Sequence, residues 1–241
     1  MTKPTAAEFL DDLRALQSDE ELEKYQRRFH FDMDDQPADD RFIGVRMGHI
    51  FDLAKRYIEM PLDEIEALLE SPIHEARVGA VSIMDWQARR KSTPEERRQA
   101  LFELYLRHHD RIDSWDLVDR AAQHVLGGYL YEFDQPLDLL LNLADSTDVC
   151  ERRSAIYATA YFIRRDAYGG TFAVAEALLT DEDESIQKAV GGWLREIGKR
   201  NPNRLVAFLD AHMADMTPIA LRYATKHLDD ERRERYRGGA R

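Results

Sequence analysis

The sequence predicts an all-α fold, a solenoid of stacked antiparallel helix pairs. Three observations carry this expectation. Apolar residues recur at three- and four-residue intervals, as in AAEFLDDLRALQ (6–17) and IFDLAKRYI (50–58), the spacing that lines one helix face. No stretch shows the strict alternation of a half-buried strand. Breaks fall at Pro61, Pro94, Pro136, Gly170 and Pro202, at intervals of 32 to 42 residues, the range in which helix pairs repeat.

Each of the four prolines sits near the first turn of a helical pattern, where a missing N–H costs little. The first clear pair joins PLDEIEALLES (61–71) to PIHEARVGAVSIMDWQARR (72–90). Later pairs join PLDLLLNLAD (136–145) to TDVCERRSAIYATAYFIRR (147–165), and GTFAVAEALLTD (170–181) to DESIQKAVGGWLREIGKR (183–200). The last joins PNRLVAFLDAHM (202–213) to TPIALRYATKHL (217–228). The second helices share a pattern of a basic residue followed by small and apolar ones. Arg77, Arg153, Lys188 and Arg222 hold comparable places, and are expected to form one cationic stripe.

The chain has 241 residues, 44% apolar and 33% charged, a globular balance rich in charge. It is expected to form a single domain over residues 1–241. Residues 1–40 are expected to form an acidic helical cap, and residues 229–241 a basic, flexible tail. No apolar run approaches the roughly 20 residues that span a bilayer, and MTKPTAAEFLDDL lacks the apolar core of a secretory signal. The single cysteine, Cys150, excludes an internal disulfide and fits a reducing, cytoplasmic location.

Net charge is -12, which argues against phosphate binding when taken alone. Its distribution matters more. Residues 1–40 hold 12 acids and five cations. The remainder carries basic clusters at Arg89, Arg97, Arg152, Arg164 and Lys199, and in RRERYRGGAR at the end. These read either as solvated helix faces or as patches for a polyanion.

In SWDLVD, Trp115 and Asp119 are four residues apart and share one helix face. Asp113 or Ser114 suits the N-cap, and Asp116 suits the positive end of the helix dipole. Spacing leaves two readings open: an edge aromatic beside a surface carboxylate, or a site. His108-His109-Asp110 are adjacent and so point apart on a helix. There is no HExxH or paired CxxC. Cys150 near Arg152 has no accompanying His motif and reads as a buried inert thiol. The glycines of GGYLYEF and VGGW read as helix-end or close-packing residues, since no phosphate-cradling loop surrounds them. No metal and no cofactor are expected.

SWDLVD followed by VLGGYL resembles the W-D-x-V-D and L-G-x-Y elements of the AlkD-like DNA alkylation repair glycosylases. GVRMGHIFDLAK, SPIHEARVGAVSIM, ERRSAI, SIQKAVGGWLREIGKRNP and LRYATKHL resemble further blocks of that family, in order, over about residues 8–228. The resemblance implies a curved solenoid of HEAT-like helix pairs that cups duplex DNA. It implies hydrolysis of the N-glycosidic bond of cationic N3- and N7-alkylated purines without flipping the base. By motif, Asp119 falls on the catalytic carboxylate, Trp115 on an aromatic that packs on the deoxyribose, and Arg153 on a backbone contact. Lys188, Arg222, Arg77 and Arg152 are further expected DNA contacts, with Arg195 less favoured because it adjoins Glu196. One departure stands out. The family pattern K-A-x-G-W-x-L-R-E reads KAVGGWLRE here, so Gly192 holds the aromatic place and Trp193 follows it. One residue turns a side chain by about 100°, placing Trp193 in the core unless the helix is irregular there. The expected partner is duplex DNA bound by a monomer, with no membrane. Two other uses of the scaffold are a noncatalytic binder of DNA structures and a protein-interaction solenoid.

Overall fold

The structure is a computed structural model that describes residues 3–29 and 40–237. It is all-α. Among the described residues the β content is one isolated bridge, between Arg41 and Ile73. The chain packs as two compact units, Met1–Ala121 and Ala122–Arg241.

The first unit runs through α1 (Ala6–Arg14), α2 (Asp19–Phe29), α3 (Met47–Arg56), α4 (Leu62–Leu69), α5 (His74–Arg89), α6 (Glu95–Arg107) and the start of α7 (Trp115–Ala122). Thr5 and Glu8 close a capping box at α1, which satisfies donors that a helix start leaves open. Phe9 and Leu13 are fully buried, so α1 docks against α3 and α4. The acidic N-terminal segment therefore begins as a packed cap, and residues 30–39 of it lie outside the described residues.

Helix α5 is the core of this unit, with α3, α4 and α6 packed on it. Its buried residues include His74, Glu75, Arg77, Ser82, Asp85 and Gln87, an unusual polar load that requires partners. Gln87 Nε2 donates to the carbonyls of Ile58 and Met60. Glu75 accepts from the backbone N–H groups of Ile43, Gly44 and Val45 at 2.8–3.2 Å. Burial raises the Glu75 pKa even against these donors. Gly44 has φ +80°, and a Cβ there would meet Ser18 O at 2.3 Å, so the turn that feeds Glu75 requires glycine.

The second unit opens with a π turn, Gln123–Gly127, followed by α8 (Gly128–Glu132), α9 (Asp138–Ala144), α10 (Val149–Ala158), α11 (Ala160–Ile163) and α12 (Gly169–Ala177). It continues through α13 (Glu184–Arg200), α14 (Pro202–His212), α15 (Pro218–Ala224) and α16 (Asp230–Arg237). Helices α9 and α10 pair, as do α12 and α13, while α14 and α15 both pack on α13. Asp148, Asp183, Asn201 and Thr217 cap α10, α13, α14 and α15 through their side chains. Pro202 and Pro218 occupy first-turn positions.

The expected flexible tail is helical over 230–237. Tyr236 is 2% exposed, and its hydroxyl donates to Asp210 Oδ1 at 2.7 Å. One buried aromatic with a satisfied hydroxyl anchors a segment that its charge alone would leave in water. Residues 238–241 lie outside the described residues.

Candidate functional site

Helix α7 buries Leu117, Val118 and Ala121 and leaves Trp115 on its outer side at 37% exposure. Asp119, one turn on, is half-buried. The indole and the carboxylate thus lie one turn apart on α7. Trp115 stacks on Phe29 of α2, with centroids 5.9 Å apart and an interplanar angle of 15°. The Arg28 guanidinium lies 4.7 Å from the indole centroid, so this ring already carries a planar cation on its electron-rich surface.

The start of α7 is held by α5. Ser114 O accepts the first helical bond, from Val118 N at 3.2 Å, while the Ser114 hydroxyl donates to Asp116 Oδ1 at 2.6 Å. Asp113, expected as a possible cap, instead binds Arg77 Nη1 at 2.9 Å. Asp116 Oδ2 lies 2.9 Å from His74 Nε2. Burial works against a charged His74, yet the hydrogen bonds to Asp116 and Asp40 outweigh it and push the pKa up to about 9. Burial likewise favours a neutral Asp116, but the bond to His74 and its charge hold that carboxyl below the usual range.

Arg77 departs from the expected cationic stripe. It is 0% exposed, with Asp113, Asp40 and the Arg111 carbonyl as acceptors. A guanidinium surrounded in this way supports the fold from inside and has no outward surface to offer. His74, which sequence reasoning missed, is its neighbour one turn away. The available signal was three polar residues, His74, Glu75 and Arg77, crowded into the first turn of a largely apolar helix.

Further along α5, Trp86 sits among three cations. Arg89, Lys55 and Arg120 lie 5.1, 5.5 and 5.5 Å from its ring centroid. Arg120 also donates to Asp85 at 2.6 Å and to Ser82 at 3.0 Å. Lys55 and Arg89 are exposed, and Arg89 also pairs with Asp85 at 3.2 Å.

In the second unit, Arg153 is largely buried. Its Nη2 donates to the Tyr157 hydroxyl at 2.7 Å, and its guanidinium lies 4.5 Å from the same ring. Tyr157 meets Trp193 edge-on at 5.4 Å. Trp193 is half-buried and packs against the buried cluster of Ile163, Tyr168 and Ile197. Helix α13 runs unbroken from Glu184 to Arg200. Gly192 is different: a Cβ built on it meets nothing within 4 Å, so the position expected to carry an aromatic is open space. Gly191, its neighbour, has a packing reason, since a Cβ there would meet Ala220 O at 2.3 Å.

Lys188 pairs with Glu184 at 2.7 Å, and the Glu184 carboxyl is held low by Lys188 and then by Arg222. Arg222 is exposed. Arg152 is tied to Asp181 at 2.6 Å and to the carbonyls of Ser146 and Thr147, a local brace. Arg195 reaches Glu196 at 3.3 Å.

Residues 9–228 match the sequence pattern of the family described as DNA alkylation repair enzyme. The chain belongs to this family. A solved structure described as a predicted DNA alkylation repair enzyme from Enterococcus faecalis is similar in fold, with a TM-score of 0.68 and 20% identity over 89% of this chain and 97% of that one. No curated protein matches the chain. Membership in the DNA alkylation repair enzyme family makes DNA the relevant ligand. Among the described residues, no helix is long and apolar enough to cross a membrane.

Proposed function

We propose that this member of the DNA alkylation repair enzyme family is a DNA glycosylase. It hydrolyses the N-glycosidic bond of cationic N3- or N7-alkylated purines in duplex DNA, without flipping the base. The observation that carries the reading is on α7, where an exposed Trp115 and a half-buried Asp119 stand one turn apart.

The chemistry fits what that face offers. An alkylated purine is positively charged, so it departs with the electron pair of the broken C1′–N bond as a neutral base and needs no general acid. Positive charge develops on the sugar, where the Asp119 carboxylate stabilises it and orients water. Water adds its oxygen to C1′ and gives up a proton to the carboxylate or to solvent. Once Arg28 is displaced from the ring it now covers, the Trp115 face adds about 1 kcal/mol of cation–π attraction. Lys55 and Arg89 in the first unit, and Arg153, Lys188 and Arg222 in the second, are the proposed DNA-backbone contacts. Arg77 and Arg152, tied to Asp113 and Asp181, are left out of this set.

The test is release of 7-methylguanine or 3-methyladenine from methylated duplex. Folded wild-type protein should release base, and Asp119→Asn should lose release at least 100-fold while DNA affinity stays within twofold. Full activity of that variant would remove the carboxylate from the mechanism. The open position at Gly192 favours a second reading, a noncatalytic DNA binder, which predicts salt-sensitive duplex affinity with no base release.

A further inference from the structure

We infer that His74 and Arg77 are positioning residues, a two-point clamp on α5 that sets the direction in which Trp115 and Asp119 leave α7. The inference rests on the assignment of those two residues to the reaction.

The carboxylates on either side of Trp115 both turn back toward α5. Asp113 receives Arg77 Nη1 on both oxygens at 2.9 Å, and Asp116 Oδ2 meets His74 Nε2 at 2.9 Å. Arg77 Nη1 also donates to the Arg111 carbonyl at 3.2 Å. The segment from Arg111 to Asp116 is thus held at three points by two side chains. These are one turn apart on a single helix, and their own atoms meet, with Arg77 Nη2 3.4 Å from His74 Nδ1. Their spacing is fixed by α5, the most enclosed helix of the unit.

A ring path reaches the same place. The His74 imidazole stacks on Phe42 at 4.3 Å and lies 5.5 Å from Phe29, which in turn stacks on Trp115. The clamp therefore reaches Trp115 indirectly, through its chain neighbours Asp113 and Asp116 and, on the ring side, through Phe29.

Stability alone does not account for this arrangement. An arginine and a histidine lie at 0% and 1% exposure, and burying such polar groups costs more than well-packed apolar residues of equal volume would. Directional bonds give what apolar contact does not, a single register and rotation for the short helix that follows. Rotation is what matters for Asp119. A slip of one residue would turn it by about 100°, whereas a reacting group works only within roughly 10–20° of its productive direction.

The full chain labelled with 5-fluorotryptophan provides the test. Its three tryptophans give separate fluorine resonances, assigned by Trp→Phe changes. Single-turnover release and duplex affinity are measured on DNA carrying one 7-methylguanine. In His74→Leu and Arg77→Met the Trp115 resonance should move or broaden while that of Trp193 stays. Release should slow at least tenfold with affinity within twofold, and Arg77→Lys should recover part of the rate. If the buried changes unfold the chain, Asp113→Asn with Asp116→Asn loosens the same clamp from its outer side. A folded double variant with an unmoved Trp115 resonance and unchanged release overturns the inference. If wild type releases no base, the glycosylase reading fails, and the Trp115 resonance alone decides the clamp.

Discussion

His74 Nε2 and Asp116 Oδ2 lie 2.9 Å apart at the point where α5 meets the first turn of α7. The pair gives the protein a pH signature on both sides of neutrality. His74 is raised to about 9, with Asp116 and Asp40 facing it as acceptors, Arg77 opposing its charge, and Phe42 and Phe29 around the ring. A group raised on folding stabilises fully below its unfolded value of about 6.5 and loses that contribution as pH climbs through the folded value. Urea midpoints of the wild type should therefore fall between pH 6.5 and 9, and His74→Gln should not show this fall. Parallel curves for the two proteins would remove His74 from the account.

On the acid side the sign reverses. Asp116 and Asp40 are held below the ordinary carboxylate value. Their contribution is present above about pH 3.8 and is lost as pH falls through their folded values. Asp116→Asn should lower stability at pH 7 and flatten the acid limb of the midpoint profile, measured by circular dichroism between pH 2 and 6.

The two glycines of α13 should respond to alanine in opposite directions. Gly192 has open space at its Cβ and lies inside a 17-residue helix, so Gly192→Ala should stabilise by about 1 kcal/mol. At Gly191 the new methyl would meet Ala220 O at 2.3 Å and Tyr223 Cβ at 2.6 Å. Gly191→Ala should therefore destabilise by roughly 1–3 kcal/mol through overpacking. Denaturant midpoints of the two variants check both signs.

Local signals were readable in the sequence, and long-range partners were not. The three- and four-residue periodicity located the helices, and prolines at 61, 94 and 202 marked helix starts. The shared face of Trp115 and Asp119 follows from a four-residue spacing, which is a property of any helix. The buried charges were opaque because their partners are remote: His74 meets Asp116 across 42 positions and Arg77 meets Asp113 across 36. Arg77 and Arg152 look like surface cations until Asp113 and Asp181 are brought to them. Tyr236 looks like part of a charged tail until Asp210 arrives. Composition reports what a residue costs to bury, and only the fold supplies the group that offsets it.

Removing the Tyr236 hydroxyl tests the docked C-terminus. Tyr236→Phe leaves the ring in place and takes one donor from Asp210, so it should cost about 1 kcal/mol. Amide exchange should rise across α16 and not across α9 or α10. Unchanged exchange in α16 would mean that ring packing and the Arg235–Asp210 ion pair hold the helix without the hydroxyl.

Arg152 and Arg222 should separate a structural cation from a DNA-binding one. Arg152 bonds to Asp181, Ser146 and Thr147, and Asp181 is nearly buried beside it at 4% side-chain exposure. Arg152→Ala leaves that carboxylate without its cation, which should cost on the order of 1–3 kcal/mol of stability. It should leave the salt dependence of duplex binding unchanged. Arg222 is exposed and lies in the field of Lys188 and Glu184. If it neutralises one phosphate, Arg222→Ala should reduce the slope of log affinity against log salt by about 0.9, with stability within about 0.5 kcal/mol of wild type. Fluorescence anisotropy of a labelled duplex over a salt series, paired with urea melts, reads both quantities. A reduced slope for Arg152→Ala, or an intact slope for Arg222→Ala, would reverse the two assignments.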